Sequence, residues 1–166
     1  MRLLLVTTSH NAVRKVLEGL PDISLHTIDC ATFLPLEKAT MKTEILRAIE
    51  HVFLQDTAPD LMLTYRCPCI IPEQIFKQAQ SGAFNIHPSL LPKYKGLNPW
   101  EKMFENKERL SGVTLHRLAS ETDSGEIICQ MSFSIEPTDT IESARDKSDA
   151  IAAQMLESWY ANLKNP

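Results

Sequence analysis

Leu3, Leu4, Leu5 and Val6 form an unbroken apolar run inside Arg2 to Thr7, and no other feature restricts the fold as tightly. Neighbouring side chains on an extended backbone point to opposite faces, so a run without alternation needs apolar cover on both sides. Such a strand belongs inside a parallel sheet, whose neighbours are joined by crossover connections, usually helices. Leu61 to Tyr65, after the Pro59-Asp60 turn, is a second run of this kind, and Ala83 to His87 returns to the sheet once more.

The intervening segments supply the crossovers. Val13, Val16, Leu17 and Leu20 fall at i, i+3, i+4 and i+7 ahead of Pro21, with Ser9 or Asn11 placed to cap the helix. Ile23 to Ile28 alternates as a second strand, and Asp29 to Thr40 shows no period and reads as a loop. Lys42 to Gln55 is a helix with Ile45, Ile49, Val52 and Phe53 on one stripe. Pro72 opens a short helix carrying Ile75, Phe76 and Ala79, which Gly82 is placed to end, and Asn98-Pro99 opens another with Trp100, Met103 and Phe104. Val113 to Leu118 and Ile127 to Ile135 read as strands. Asp139 and Glu142 are spaced as a capping box before a helix bearing Ile141, Ala144, Ile151, Met155 and Trp159 that runs nearly to the end of the sequence. The order predicts an α/β, Rossmann-like fold: a mostly parallel twisted sheet with helices on both faces, built as a single domain over 1–166.

A formal net charge of -4 and a pI near 5.7, without any Lys/Arg block, argue against a nucleic-acid surface. Leu3 to Val6 is too short for a membrane span and lacks a cleavage pattern behind it, so a cytoplasmic protein is expected. Cys30, Cys67, Cys69 and Cys129 are too irregularly spaced for a disulfide framework, and Cys67-Pro68-Cys69 lacks the Cys-x-x-Cys spacing. Free thiols and no metal are the expectation.

Chemistry concentrates at Asn85-Ile86-His87-Pro88. The period of two puts Asn85 and His87 on one face with Ile86 on the other, and Pro88 stops the strand with His87 at its carboxyl tip. In open α/β sheets ligands bind at those tips. An amide is a donor that keeps its protonation state, and an imidazole titrates near neutrality. Alone, either residue reads as ordinary: Asn85 as a strand-end cap, His87 as a packed side chain.

The stretch Asn85 to Pro92 (NIHPSLLP), then Lys93-Tyr94-Lys95-Gly96, Gly112 to His116 (GVTLH) and Asp123-Ser124-Gly125, resembles the catalytic domain of the 10-formyltetrahydrofolate-dependent formyltransferases. This group includes glycinamide ribonucleotide, methionyl-tRNA and sugar-nucleotide or peptide formyltransferases. The similarity runs from about Pro59 to about Ile135. It implies a catalytic trio of Asn85, His87 and Asp123, with 10-formyltetrahydrofolate as formyl donor, a primary amine as acceptor and no metal. Formyl transfer passes through a tetrahedral species with negative charge on the formyl oxygen. Asn85 would donate to that oxygen. His87 would donate to it too and move the proton from amine to leaving nitrogen, while Asp123 would orient His87 and take up the amine proton. Glu121 is the alternative acid.

By the same resemblance Pro68, Cys69, Ile70 and Ile71 wall the pterin on one side, and Leu118, Ser120 and Glu121 on the other. The sequence departs from the family at Arg66, where glycine is common, and at the Cys-Pro-Cys. Ser89 and His116 are assigned to support of the trio. Thr8 and Ser9, in a turn without glycine, and Asp149, on the last helix, are the acceptor-binding candidates. The acceptor stays open among a glycinamide ribonucleotide-like amine, an amino sugar and an aminoacyl group. Hydrolysis of formyltetrahydrofolate, with water in place of the amine, and non-catalytic folate or nucleotide binding are the competing readings.

Overall fold

The computed structural model describes residues 1–8 and 12–164. Strands β1 (Arg2–Thr7), β2 (Ser24–Asp29), β3 (Leu61–Tyr65), β4 (Gly82–His87), β5 (Leu110–Arg117) and β6 (Ile127–Ser134) form one sheet in the order β2-β1-β3-β4-β5-β6. The first four run parallel, and β5 and β6 are antiparallel to their neighbours. Helices α1 (Ala12–Gly19), α2 (Lys38–Phe53), α3 (Glu73–Phe76), α4 (Pro99–Glu105) and α5 (Ile141–Lys164) connect and cover them. The chain leaves β1 to form β2 on one side and returns to form β3 on the other, which opens a crevice beyond their carboxyl ends.

The continuous apolar runs are accounted for by cover on both faces. Leu3, Leu5, Leu63, Phe84 and Ile86 pack with Val13 and Leu17 of α1 and Leu156 and Trp159 of α5. Leu4, Val6, Met62 and Ala83 face the other way onto Ile45 and Ile49 of α2 and Ile75 and Phe76 of α3. Residues alternating within each strand thus divide between two cores. No helix among the described residues is long and apolar enough to cross a membrane.

Three expectations are corrected. Asp29 to Thr40 is not a loop: Cys30–Phe33 is a 3-10 turn whose start is capped by the Asp29 carboxylate on the Ala31 amide, and α2 already begins at Lys38. Lys38, Ala39 and Thr40 are exposed, so the first helical turn shows no apolar stripe. The helix after Pro72 stops at Phe76 instead of reaching Gly82, which opens β4. The cap of α5 is Thr140, not Asp139: Thr140 and Ser143 exchange backbone-to-hydroxyl bonds, while Asp139 accepts from the Glu136 amide and pairs with Lys147. Ser9 and Asn11, expected to cap α1, lie outside the described residues.

The β5-β6 hairpin depends on Gly112. A Cβ there would stand 2.3 Å from the Met131 carbonyl oxygen and 2.6 Å from Leu90 Cδ2. Gly112→Ala is therefore expected to destabilise the protein by about 1–3 kcal/mol, the usual cost of overpacking, read as a lower midpoint in urea unfolding. An unchanged midpoint would contradict this packing.

Candidate active site

Three strands and two loops converge at the carboxyl end of β4. Asn85 and His87 share the face opposite Ile86, which packs in the α1/α5 core. On one side Thr64 of β3 is in register with Asn85, and its hydroxyl donates to Asn85 Oδ1 at 2.7 Å. On the other, His116 of β5 lies opposite Asn85. Its Nδ1–H donates to the Arg117 carbonyl at 2.8 Å, which leaves Nε2 to accept from Asn85 Nδ2 at 3.0 Å.

Asp123 enters from the β5-β6 turn, with its backbone in the left-handed region at φ 50°, a conformation aspartate tolerates better than most residues. The turn can press onto β5 because Gly125 follows: a Cβ there would meet the Arg117 carbonyl oxygen at 1.9 Å. Asp123 Oδ2 accepts the Gly96 amide at 2.8 Å and lies 3.2 Å from His87 Nδ1. Its Oδ1 is 3.5 Å from both Asn85 Nδ2 and His116 Nε2. One carboxylate therefore touches an amide and two imidazoles.

Protonation follows from these partners. Burial pushes the Asp123 carboxyl up, but the neighbouring His116 and His87 rings and the Gly96 amide outweigh it, and its pKa is lowered; it is an anion at neutral pH. Burial is also the main influence on His87. It lowers the imidazole's pKa despite the opposing pull of Asp123 and of the Tyr94 carbonyl, so the ring rests neutral. His87 Nε2 meets the Tyr94 carbonyl at 2.8 Å and so carries the proton, leaving a bare Nδ1 beside Asp123. The arrangement can receive a proton at His87 Nδ1 and hold the resulting cation against an anion.

The trio opens into a cleft of about 960 Å³, at the upper end of the range typical of small-molecule sites. Pro68, Cys69, Ile70, Ile71 and Leu118 line it. Ser120 and Glu121 do not line it; Glu121 is exposed, and its carbonyl accepts from Ser124 Oγ. Thr8 does, with its hydroxyl on the Arg66 carbonyl, whereas Ser9 lies outside the described residues. Asp149 is buried behind the cleft, accepting from the Tyr65 hydroxyl and facing Arg66 Nη1 at 3.4 Å. Ser89 spends its proton on the Lys93 carbonyl and supports the turn after β4. Cys67 and Cys69 are free thiols with sulfurs 3.8 Å apart. A hydrogen bond with Cys30 and burial push the Cys67 thiol up to about 12, which keeps it unreactive.

Sequence reasoning missed Thr64, the Gly96 amide and the Leu97–Glu101 and Arg145 side of the cleft. Thr64 carried a weak signal, a hydroxyl inside an apolar strand. Gly96 acts through its backbone and carried none.

A family model described as formyl transferase matches residues 4–158. The methionyl-tRNA formyltransferase of Thermotoga maritima is 33% identical over 112 residues, covering 68% of this chain and 36% of that protein. The chain thus spans about a third of the length of the curated relatives it matches. The formyltransferase PseJ from Anoxybacillus kamchatkensis, solved in complex with UDP-4,6-dideoxy-4-formamido-L-AltNAc and tetrahydrofolate, superposes with a TM-score of 0.72 at 24% identity, covering 99% of this chain and 77% of that one. Phosphoribosylglycinamide formyltransferase from Bacillus halodurans gives 0.63 at 20% identity over 94% and 95% of the two chains. These structures share the fold, and the matched family segment contains β4, the β5-β6 turn and every residue of the trio; the chain belongs to the formyl transferase family.

Proposed function

We propose that this protein transfers the formyl group of 10-formyltetrahydrofolate to a primary amine, with Asn85, His87 and Asp123 as catalytic residues. The observation that carries the reading is the reach of the Asp123 carboxylate, which lies within 3.5 Å of Asn85, His87 and His116 beside the cleft. A folate suits the walls: Ile70, Ile71 and Leu118 offer apolar surface to a flat bicycle, and backbone groups of the flanking loops can pair with its polar edge.

Each residue takes a role from its partners. Asn85 Nδ2 holds His116 at 3.0 Å but Asp123 at 3.5 Å, so the N–H directed to Asp123 is the one free to turn to a formyl oxygen as charge builds there. His87, resting neutral with its proton on Nε2, accepts the amine proton at Nδ1, and Asp123 stabilises the imidazolium. The same proton then passes to the departing folate nitrogen. The amine loses one proton and the folate nitrogen gains it; one C–N bond forms and one breaks, with no redox change. Both N–H groups of protonated His87 are engaged, Nε2 by the Tyr94 carbonyl and Nδ1 by Asp123, so Asn85 carries the stabilisation of the oxyanion.

The named relatives act on a methionyl-tRNA and a phosphoribosylglycinamide, and the PseJ complex holds a UDP-linked formamido sugar. We commit to the shared reacting group, a primary amine, and not to one of these carriers.

Asn85→Ala is the test. Loss of one preorganised oxyanion donor is expected to lower kcat by about 100-fold to 1,000-fold. Tetrahydrofolate affinity, measured by calorimetry, should stay near that of the unmodified protein. Unchanged turnover in this variant would remove the assignment.

A further inference from the structure

β3 carries a polar side chain where an apolar one would fit. All five of its residues, Leu61 to Tyr65, are buried, and Thr64 is 2% exposed in the middle of the sheet. Valine has the same shape, favours strands equally and buries no hydroxyl. A hydroxyl here must be supported by a specific partner.

That partner is Asn85. Thr64 Oγ1 lies 2.7 Å from Asn85 Oδ1 and 3.3 Å from the Phe84 carbonyl oxygen, so its single proton goes mainly to the amide oxygen. Asn85 then donates through Nδ2 to His116 Nε2 at 3.0 Å, and His116 donates through Nδ1 to the Arg117 carbonyl at 2.8 Å. Every donor in the row points the same way, from Thr64 through Asn85 and His116 to a fixed backbone oxygen. Bonds so aligned polarise one another.

From this we infer that Thr64 is a positioning residue for formyl transfer: its hydroxyl pins the oxygen end of the Asn85 amide to β3 so that the nitrogen end faces the cleft as a sharpened donor. The inference rests on the activity proposed above. Without the hydroxyl, half-buried Asn85 Oδ1 is left with no side-chain donor among the described residues, and a rotation that relieved it would turn that oxygen toward the His116 lone pair and the Asp123 carboxylate. The amide would be held by neither arrangement.

Two measurements test this. In kinetics, Thr64→Val is expected to lower kcat at least about tenfold, the effect of one lost orienting hydrogen bond, with the KM for the folate within about twofold. Thr64→Ser restores the hydroxyl and should recover kcat to within about threefold; a purely structural role would change stability and leave turnover per folded molecule intact. In 15N NMR, the Asn85 side-chain amide resonances should move in Thr64→Val and stay in place in Thr64→Ser. Thr64→Ala takes the place of the valine variant should that one fail to fold. Full turnover in a folded variant without the hydroxyl overturns the inference and leaves the proposed activity standing. Should the unmodified protein transfer no formyl group, the activity falls instead, and unmoved amide resonances would then overturn the Thr64–Asn85 coupling on their own.

Discussion

Replacing Asp123 with asparagine is expected to lower kcat by about 100-fold to 10,000-fold, the range for losing an acid-base partner, with folding preserved because the two side chains have nearly the same volume. The loss follows from acceptor geometry. Both carboxylate oxygens face donors: Oδ2 takes the Gly96 amide at 2.8 Å and Oδ1 faces Asn85 Nδ2 at 3.5 Å. An asparagine has one acceptor end, so its NH2 must point at one of these N–H groups whichever way it is turned. It also removes the charge that stabilises protonated His87.

The pH dependence gives the same substitution a second signature. The His87 pKa lies below its ordinary value, so its neutral form prevails above that lowered value and activity declines as pH falls through it. In Asp123→Asn the upward pull of the carboxylate is gone while burial remains. The acid limb of the residual kcat/KM profile should therefore shift to lower pH. For stability the sign is the same for both groups: each folded pKa is depressed, so each contributes stability that is present above its unfolded value and lost as pH falls through the folded one. Steady-state kinetics across pH, with circular dichroism to confirm folding, checks all of this; wild-type kcat in the variant, or an acid limb that moves up, would contradict it.

His87→Ala is the second large effect, also about 100-fold to 10,000-fold in kcat. It removes the proton acceptor and releases the Tyr94 carbonyl, which receives the Nε2 proton at 2.8 Å. Because His87 and Asp123 work on one proton, the double variant His87→Ala/Asp123→Asn should be little worse than either single variant. Losses that multiply in the double variant would show that the two act separately. Tetrahydrofolate binding should survive in all three, since the apolar wall from Pro68 to Ile71 is untouched.

What the sequence disclosed depended on how local each cause was. Leu3 to Val6 and Leu61 to Tyr65 announced doubly covered strands because burial on two faces leaves no room for alternation. Asn85 and His87 could be placed on one face, and His87 at a strand tip, from the period of two and Pro88 alone. Asp123 could not: an aspartate before Ser-Gly is an ordinary turn former, and only antiparallel pairing of β4, β5 and β6 carries that turn back over His87. Resemblance supplied it. Thr64 needed the register between β3 and β4, which no single strand encodes. Asp149 went the other way, since its place on α5 suggested a ligand while its carboxylate is occupied by the Tyr65 hydroxyl and faces Arg66 behind the cleft.

Donor labelled with 13C at the formyl carbon, followed by NMR with a panel of primary amines, tests the central claim most directly. The account predicts that the donor resonance falls as a formamide resonance rises in equal amount, and that both changes stop in Asn85→Ala. Label appearing as formate whatever amine is present, or a donor resonance that decays no faster than without protein, would contradict it.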